Sequence, residues 1–222
     1  NFFLNLSKLA FSDTFPLILK PILVAGAGEG LEQTLSELAG KVRLRETLFI
    51  IAADAALPAF MEAGIAPDAL VCEESQSVIA GAFPGCKNAC TYALLSLSSC
   101  YSSAAFAAKK SCFYATEFED RAFIRRLRET ALLPPLIPPL GSVGLSALHL
   151  ALALRAGSPV PVFVTGLDFS YSFGKTHAKG SFHDRIKRSS VNRIRSMENL
   201  GAACAPDAQK MTGKDGRSVM ST

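Results

Sequence analysis

The residues of this chain best suited to chemistry stand in turns that follow short apolar runs. Gly26-Ala27-Gly28-Glu29-Gly30 comes directly after Ile22 to Ala25 and opens a segment with Leu31, Leu35 and Leu38 at helical spacing. Glycines in such a strand-turn-helix setting let an anion approach without a Cβ in the way. The N–H groups at a helix start, carrying roughly half an elementary charge, face that anion. The pattern is G-x-G-x-G and not the full dinucleotide G-x-G-x-x-G, so a tight structural turn is the other reading. Gly141-Ser142-Val143-Gly144 repeats the arrangement ahead of a second apolar segment, either as a further anion or ribose site or with Ser142 only capping the helix.

Carboxylates close the apolar runs. Asp54 ends the second one, where it could accept a ribose or sugar hydroxyl or cap the next helix. Glu73, Glu74 and Ser75 end the third, facing a substrate or only solvent. Asp168 follows the last apolar run in TGLDFSYSFGKTHAKG, and His177 comes nine residues later between Lys175 and Lys179. A histidine with an ordinary pKa near 6.5 can take a proton at neutral pH, and general-base catalysis contributes about 10² to 10⁴ in rate. The lysines could neutralise a departing phosphate. The bland alternative is a solvent-exposed loop histidine, and His149, within an apolar helix, reads as a buried one.

These residues need a scaffold of alternating strands and helices. Strands are expected at Ile22 to Ala25, Leu48 to Ala53, Ala69 to Cys72, Tyr92 to Leu97, Cys112 to Ala115 and Val160 to Thr165, the last buried on both faces by its composition. Helices are expected after the glycine turn, at Ala56 to Ala63, Glu119 to Leu132 and Leu145 to Ala156. The proline-rich run from Leu133 to Pro139 reads as a rigid connector. After Asp168 the texture turns polar and basic, with a helix from Arg185 to Arg195 that is a solvated face or a protein contact. Lys210 to Thr222, centred on Asp215-Gly216, reads as a β-hairpin. The expected fold is therefore α/β, Rossmann-like and doubly wound, with a mostly parallel sheet and a C-terminal β-hairpin.

Composition narrows the function classes. The 222 residues are 49% apolar, enough for one substantial core, and the net charge of +4 is too mild and dispersed for nucleic-acid binding. Six cysteines without a CxxC pair, and three histidines not at zinc-ligand spacing, predict reduced packing thiols, no metal site and a cytoplasmic compartment. The longest apolar stretch, Leu145 to Leu154, falls short of the ~18 residues that cross a bilayer. The opening NFFLNLSKLAF has no basic n-region or cleavage site and reads as part of something longer.

Three segments, VAGAGEGLE, IIAADAALPAFMEAGIAPDALV and GSVGLSALHLALALRAGSPVPVFVTGLDFSYSFGKTHAKG, resemble the domain shared by motility accessory factors, which are flagellin glycosyltransferases, and by archaeal 6-hydroxymethylpterin diphosphokinases. The likeness covers Pro21 to Gly180, and KMTGKDGRSVMST resembles the hairpin that follows in motility factors. It implies a Rossmann-like fold like that of bacterial sialyltransferases using a CMP-sugar, in which His177 is the base. The implied reaction carries a nonulosonic acid from CMP to Ser or Thr of flagellin. The chain departs from the family in having Glu29-Gly30 where Pro-Ser is common, and Glu73 and Glu74 where an Asp is common.

The resulting expectation is a transferase unit over 21–185, preceded by a lead-in over 1–20 and followed by a basic helix and hairpin over 186–222. Gly26, Gly28, Gly30, Asp54, Glu73, Gly141, Ser142 and Lys175 bind a nucleotide-sugar donor, Asp54 and Asp168 orient hydroxyls, and the catalytic residues are Asp168 and His177, the latter as base, with no cofactor required. An alternative is diphosphate transfer from ATP to a pterin alcohol with Mg²⁺, in which the carboxylates hold the metal. A third is a non-catalytic nucleotide or glycan-binding module.

Overall fold

The computed structural model describes residues 1–117, 122–155, 157, 159–172, 175–194, 209–213, 216 and 218–221. Seven strands, β1 (Ile22–Ala25), β2 (Phe49–Ala53), β3 (Ala69–Cys72), β4 (Cys90–Ser96), β5 (Ala108–Thr116), β6 (Leu136–Ile137) and β7 (Val162–Thr165), form a parallel sheet in the order β6-β5-β4-β3-β2-β1-β7. The helices are α1 (Phe2–Leu6), α2 (Leu31–Gly40), α3 (Val42–Thr47), α4 (Leu57–Glu62), α5 (Tyr101–Phe106), α6 (Ala122–Glu129), α7 (Val143–Leu154) and α8 (Phe182–Ser189). A small antiparallel sheet joins β8 (Tyr171–Ser172), β9 (Gln209–Thr212) and β10 (Ser218–Ser221) in the order β8-β10-β9. The Rossmann-like α/β reading with a terminal hairpin holds, and the hairpin gains β8 as a third strand.

Strand alternation sorts the core into two layers, because successive side chains point to opposite faces. Ile22, Val24, Ile51, Val71, Leu94 and Tyr114 meet Ala147, Leu150 and Ala151 of α7 on one face. Leu23, Ala25, Ile50 and Ala52 meet Leu31, Leu35 and Leu38 of α2 and Phe60 of α4 on the other. Leu70, Cys72, Ala93, Leu95 and Phe113 extend that second layer to Phe182 of α8. Each such large side chain contributes about 1.5–3 kcal/mol on burial.

From β1 to β6 the chain adds one neighbouring strand at a time, and α7 then carries it back across the sheet to β7, on the far side of β1. The direction of winding therefore reverses between β1 and β7, which are paired with Ala25 opposite Thr165. In open α/β sheets such a reversal opens a crevice at the carboxyl ends of the strands, and it sets the glycine turn beside the loop that carries Asp168.

Three expectations change. The proline run is not only a connector: Ala115 N–H donates to Pro135 O at 2.9 Å and Glu117 N–H to Ile137 O at 2.8 Å, making β6 a short edge strand, a place where proline is tolerated. The strand β7 is the opposite edge, so Phe163 and Val164 are 52% and 48% exposed despite a composition that suggested burial on both faces. His149 is half-buried, not fully enclosed. Residues 119–121, Ala156, Arg195, Cys204 and Asp215, which entered the sequence reading, lie outside the described residues. Within them, no helix is long and apolar enough to cross a membrane.

The first twenty residues are tied to the sheet. Asn5 is buried, and its Nδ2 donates to Leu97 O and Ser99 O, both at 2.9 Å. Asp13 exchanges two hydrogen bonds with the Ser111 backbone, and Ile18 N–H donates to Leu154 O at 3.0 Å.

Candidate functional site

The glycine turn after β1 lies against the loop after β7, and the contact is backbone to backbone. Gly26 N–H donates to Thr165 O at 2.9 Å, Gly28 N–H to Gly166 O at 2.8 Å, and Gly30 N–H to Asp168 Oδ2 at 2.9 Å. A Cβ on Gly26 would stand 2.4 Å from Gly166 O, and one on Gly28 would stand 2.3 Å from Asp168 Oδ2. Close approach, and not only an incoming anion, thus demands glycine at both positions. The carboxylate of Asp168 sits at the positive end of α2, the place the sequence reading gave to a phosphate, and is held there by the same helix-end electrostatics.

Glu29 turns outward: its Oε2 accepts from Ser172 Oγ at 2.5 Å, and its Oε1 lies 3.5 Å from Lys175 Nζ. Lys175 also pairs with Glu32 at 2.9 Å. Partial burial of the ammonium works to lower its pKa, but Glu32 and Glu29 outweigh that and raise it. Lys175 is therefore neutralised beside α2, and Gly30 opens onto a groove shared with Glu29, Glu32 and Ser172.

Two lobes of about 520 Å³ each run along the carboxyl edge of the sheet, a size that suits small ligands. The histidine lobe is lined by Gly26, Gly28, Ser142, Asp168, His177 and His183, among others. The acidic lobe is lined by Asp54, Glu73, Glu74, Gly141, Ser142 and His183 with further hydroxyls. Ser142, Val143 and His183 belong to both, so the lobes share a wall. Among the described residues no Lys or Arg lines either lobe.

His183 stands in that wall and His177 lines the histidine lobe beside it, with ring centroids 4.4 Å apart and an interplanar angle of 35°. Burial, together with the neighbouring His183, pushes the His177 pKa down to about 4 against the opposing influence of Asp184. Burial also lowers His183, opposed by Glu74. Both rings are neutral at pH 7 and able to accept a proton. His177 Nδ1 lies 3.0 Å from Thr176 Oγ1.

In the acidic lobe Asp54 is 3% exposed; its Oδ1 accepts from Ala55 N–H at 2.8 Å, and its Oδ2 is buried with no hydrogen-bond partner. Burial raises its pKa to about 6, against the lowering influence of the Ala55 N–H, the Cys72 thiol and the Glu74 backbone. Glu73 is also raised by burial, opposed by hydrogen bonds from Ser146 and from Tyr114, whose hydroxyl donates at 3.0 Å. Ser142 caps α7, its Oγ accepting from Leu145 N–H at 3.3 Å, while still facing both lobes.

The fold thus brings Gly26, Gly28, Ser142, Asp168 and His177 to one lobe and Asp54, Glu73, Gly141 and Ser142 to the other, and it turns Lys175 away. His183 was missed by sequence reasoning. It stands at the start of α8, six residues after His177, and only the turn over Ala178 to Ser181, anchored by Ala178 N–H to Ala27 O at 2.8 Å, brings the rings together.

The solved structure of MAf glycosyltransferase from Magnetospirillum magneticum AMB-1 resembles the chain with a TM-score of 0.58 at 14% identity, covering 98% of this chain and 31% of that one. A protein of Treponema pallidum (strain Nichols), described as uncharacterized, is 41% identical over 179 residues, covering 80% of this chain and 30% of the relative. The chain therefore spans under a third of the length of either. The family model described as 6-hydroxymethylpterin diphosphokinase MptE-like matches residues 1–174. With that match spanning the sheet from β1 to β7 and the glycine turn, the chain belongs to the MptE-like family.

Proposed function

We propose that this chain is a glycosyltransferase unit that moves a nonulosonic sugar from a CMP-activated donor to a Ser or Thr hydroxyl of flagellin, within a longer cytoplasmic protein. The observation that carries the reading is the neutral His177–His183 pair at the wall between two ligand-sized lobes. Membership of the MptE-like family and the fold shared with MAf glycosyltransferase support it. The free cysteines Cys72, Cys86, Cys90, Cys100 and Cys112 suit a reducing compartment.

In this reading the donor lies in the histidine lobe against Gly26, Gly28 and Ser142. Asp168, which lines the same lobe, orients a hydroxyl. The acceptor oxygen bonds to the anomeric carbon as the bond to the phosphate oxygen breaks. The bonding pair leaves with CMP, and the hydroxyl proton passes to His177. Such a base contributes about 10² to 10⁴ in rate. A phosphate beside the ring raises the His177 pKa and improves it as a base.

The family description favours a second reading, diphosphate transfer from ATP to 6-hydroxymethylpterin. It gives Asp54, Glu73, Glu74 or Asp168 the duty of holding Mg²⁺, one or two carboxylates with the substrate phosphates being enough for that ion. Calorimetric titration with CMP and with ATP, each with and without Mg²⁺, tests the choice. Metal-independent CMP binding, with turnover lost and binding kept in His177→Ala, supports the glycosyltransferase. Mg²⁺-dependent ATP binding selects the diphosphokinase, and binding without turnover in the longer protein selects a non-catalytic module.

A further inference from the structure

We infer that the acidic lobe is the acceptor subsite, built for a hydroxyl-bearing group that carries no negative charge, while anions are confined to the histidine lobe. This rests on the glycosyltransferase reading and assigns its two substrates to opposite sides of the His177–His183 wall.

Charge and hydrogen-bonding capacity separate the lobes. The acidic lobe is lined by three carboxyl side chains, Asp54, Glu73 and Glu74, and by the hydroxyls of Ser75, Ser96, Ser98, Thr116, Ser142 and Ser146, with no Lys or Arg among the described residues. A ligand carboxylate or phosphate there meets like charge with no counterion among the described residues, which disfavours its binding in a partly desolvated site. The buried Oδ2 of Asp54 has no hydrogen-bond partner, and a buried acceptor left without a donor is unfavourable until one arrives. A sugar or side-chain hydroxyl supplies that donor. Phe182 and His183, also in the lining, offer ring faces. The histidine lobe contains one carboxylate, Asp168, whose Oδ2 is already engaged by the Gly30 N–H. A hydroxyl held in the acidic lobe thus meets His183, which lines both lobes, with the His177 ring 4.4 Å from it on the donor side.

The test is ¹⁵N-detected titration of the chain with three sugars, methyl β-D-glucoside (neutral), D-glucosamine (cationic) and N-acetylneuraminic acid (anionic). Ser75 and Ser98 N–H signals report on the acidic lobe, and Gly28 and Phe169 on the histidine lobe. The glucoside and glucosamine should shift Ser75 and Ser98, with the anionic sugar weaker at these signals by about tenfold or more. Glu73→Gln with Glu74→Gln should remove most of that discrimination; Glu74→Gln alone, whose amide oxygen can still accept from Gln76 N–H, should remove part of it. No shift of Ser75 and Ser98 with any of the three, or equal affinity for the anionic sugar, overturns the assignment. A parallel CMP titration separates the two levels. Absence of CMP binding overturns the glycosyltransferase reading, and with it the acceptor role, while the sugar series still reads the charge selectivity of the lobe. CMP shifts centred on Ser75 and Ser98 overturn the assignment of sides.

Discussion

Replacing Gly28 by Ala probes the joint on which the histidine lobe is built. The added Cβ would stand 2.3 Å from Asp168 Oδ2, 2.8 Å from Gly166 O and 2.9 Å from Asp168 Cγ, distances that real Cβ atoms do not adopt. Asp168 can rotate away, but that breaks its hydrogen bond from Gly30 N–H, and Gly166 O is backbone already bonded to Gly28 N–H. Forced overpacking costs about 1–3 kcal/mol. Losing or stretching one charge-assisted and one neutral hydrogen bond adds about 1–3 kcal/mol. A loss of about 3 kcal/mol in a domain of this size lowers Tm by about 6–12 °C. Gly40→Ala is the matched control: its Cβ meets nothing within 4 Å and it ends α2, so the same change should leave stability unchanged or raise it by up to about 1 kcal/mol. Thermal melts followed by circular dichroism on both variants and the parent measure the difference. A Gly28→Ala Tm within about 2 °C of the parent would mean that the β1 and β7 loops are not locked together as described.

Two further perturbations address the lobes. His177 has a folded pKa of about 4 against an ordinary 6.5, so the unfolded chain takes up its proton first as pH falls. Its contribution to stability, full above pH 6.5, is lost between pH 6.5 and about 4. Asp54, raised from 3.8 to about 6, acts in the opposite sense and gains stability as pH falls through 6. Urea titrations across this range should therefore show a weaker acid loss in His177→Gln and a stronger one in Asp54→Asn, and unchanged slopes in both would contradict the burial that causes the shifts. Tyr114→Phe removes the hydroxyl that donates to Glu73 from a fully buried ring. It should cost about 1–2 kcal/mol in chemical denaturation and raise the Glu73 pKa, read by carboxyl NMR titration.

Much of the sheet was legible because its signals are local. Ile22 to Ala25 and Ala69 to Cys72 are strands at the expected limits, since short apolar runs ended by glycine or acidic residues reflect strands buried on both faces. The capping Ser142 was legible for the same reason, its partner Leu145 being three residues on, whereas the glycines of the turn are demanded by the distant Gly166 and Asp168. What the local pattern cannot carry is where a strand sits in the sheet. The run at Val162–Thr165 has the composition of a central strand yet forms an edge, and Leu136–Ile137 pairs with β5 inside a proline-rich run.

The sequence alone determined an α/β alternation and the resemblance to the family of 6-hydroxymethylpterin diphosphokinases and motility accessory factors, with glycines and carboxylates at the carboxyl ends of its strands, because strand-turn-helix alternation and family motifs are written in contiguous residues. Only the tertiary structure decided what those residues face. Asp168 reaches Gly30 across 138 positions, Lys175 meets Glu29 and Glu32 instead of a lobe, and His183 meets His177 through a turn that docks on Ala27. Each outcome depends on the reversal of winding between β1 and β7, which brings distant loops within hydrogen-bonding reach, and no spacing along the chain encodes such a distance.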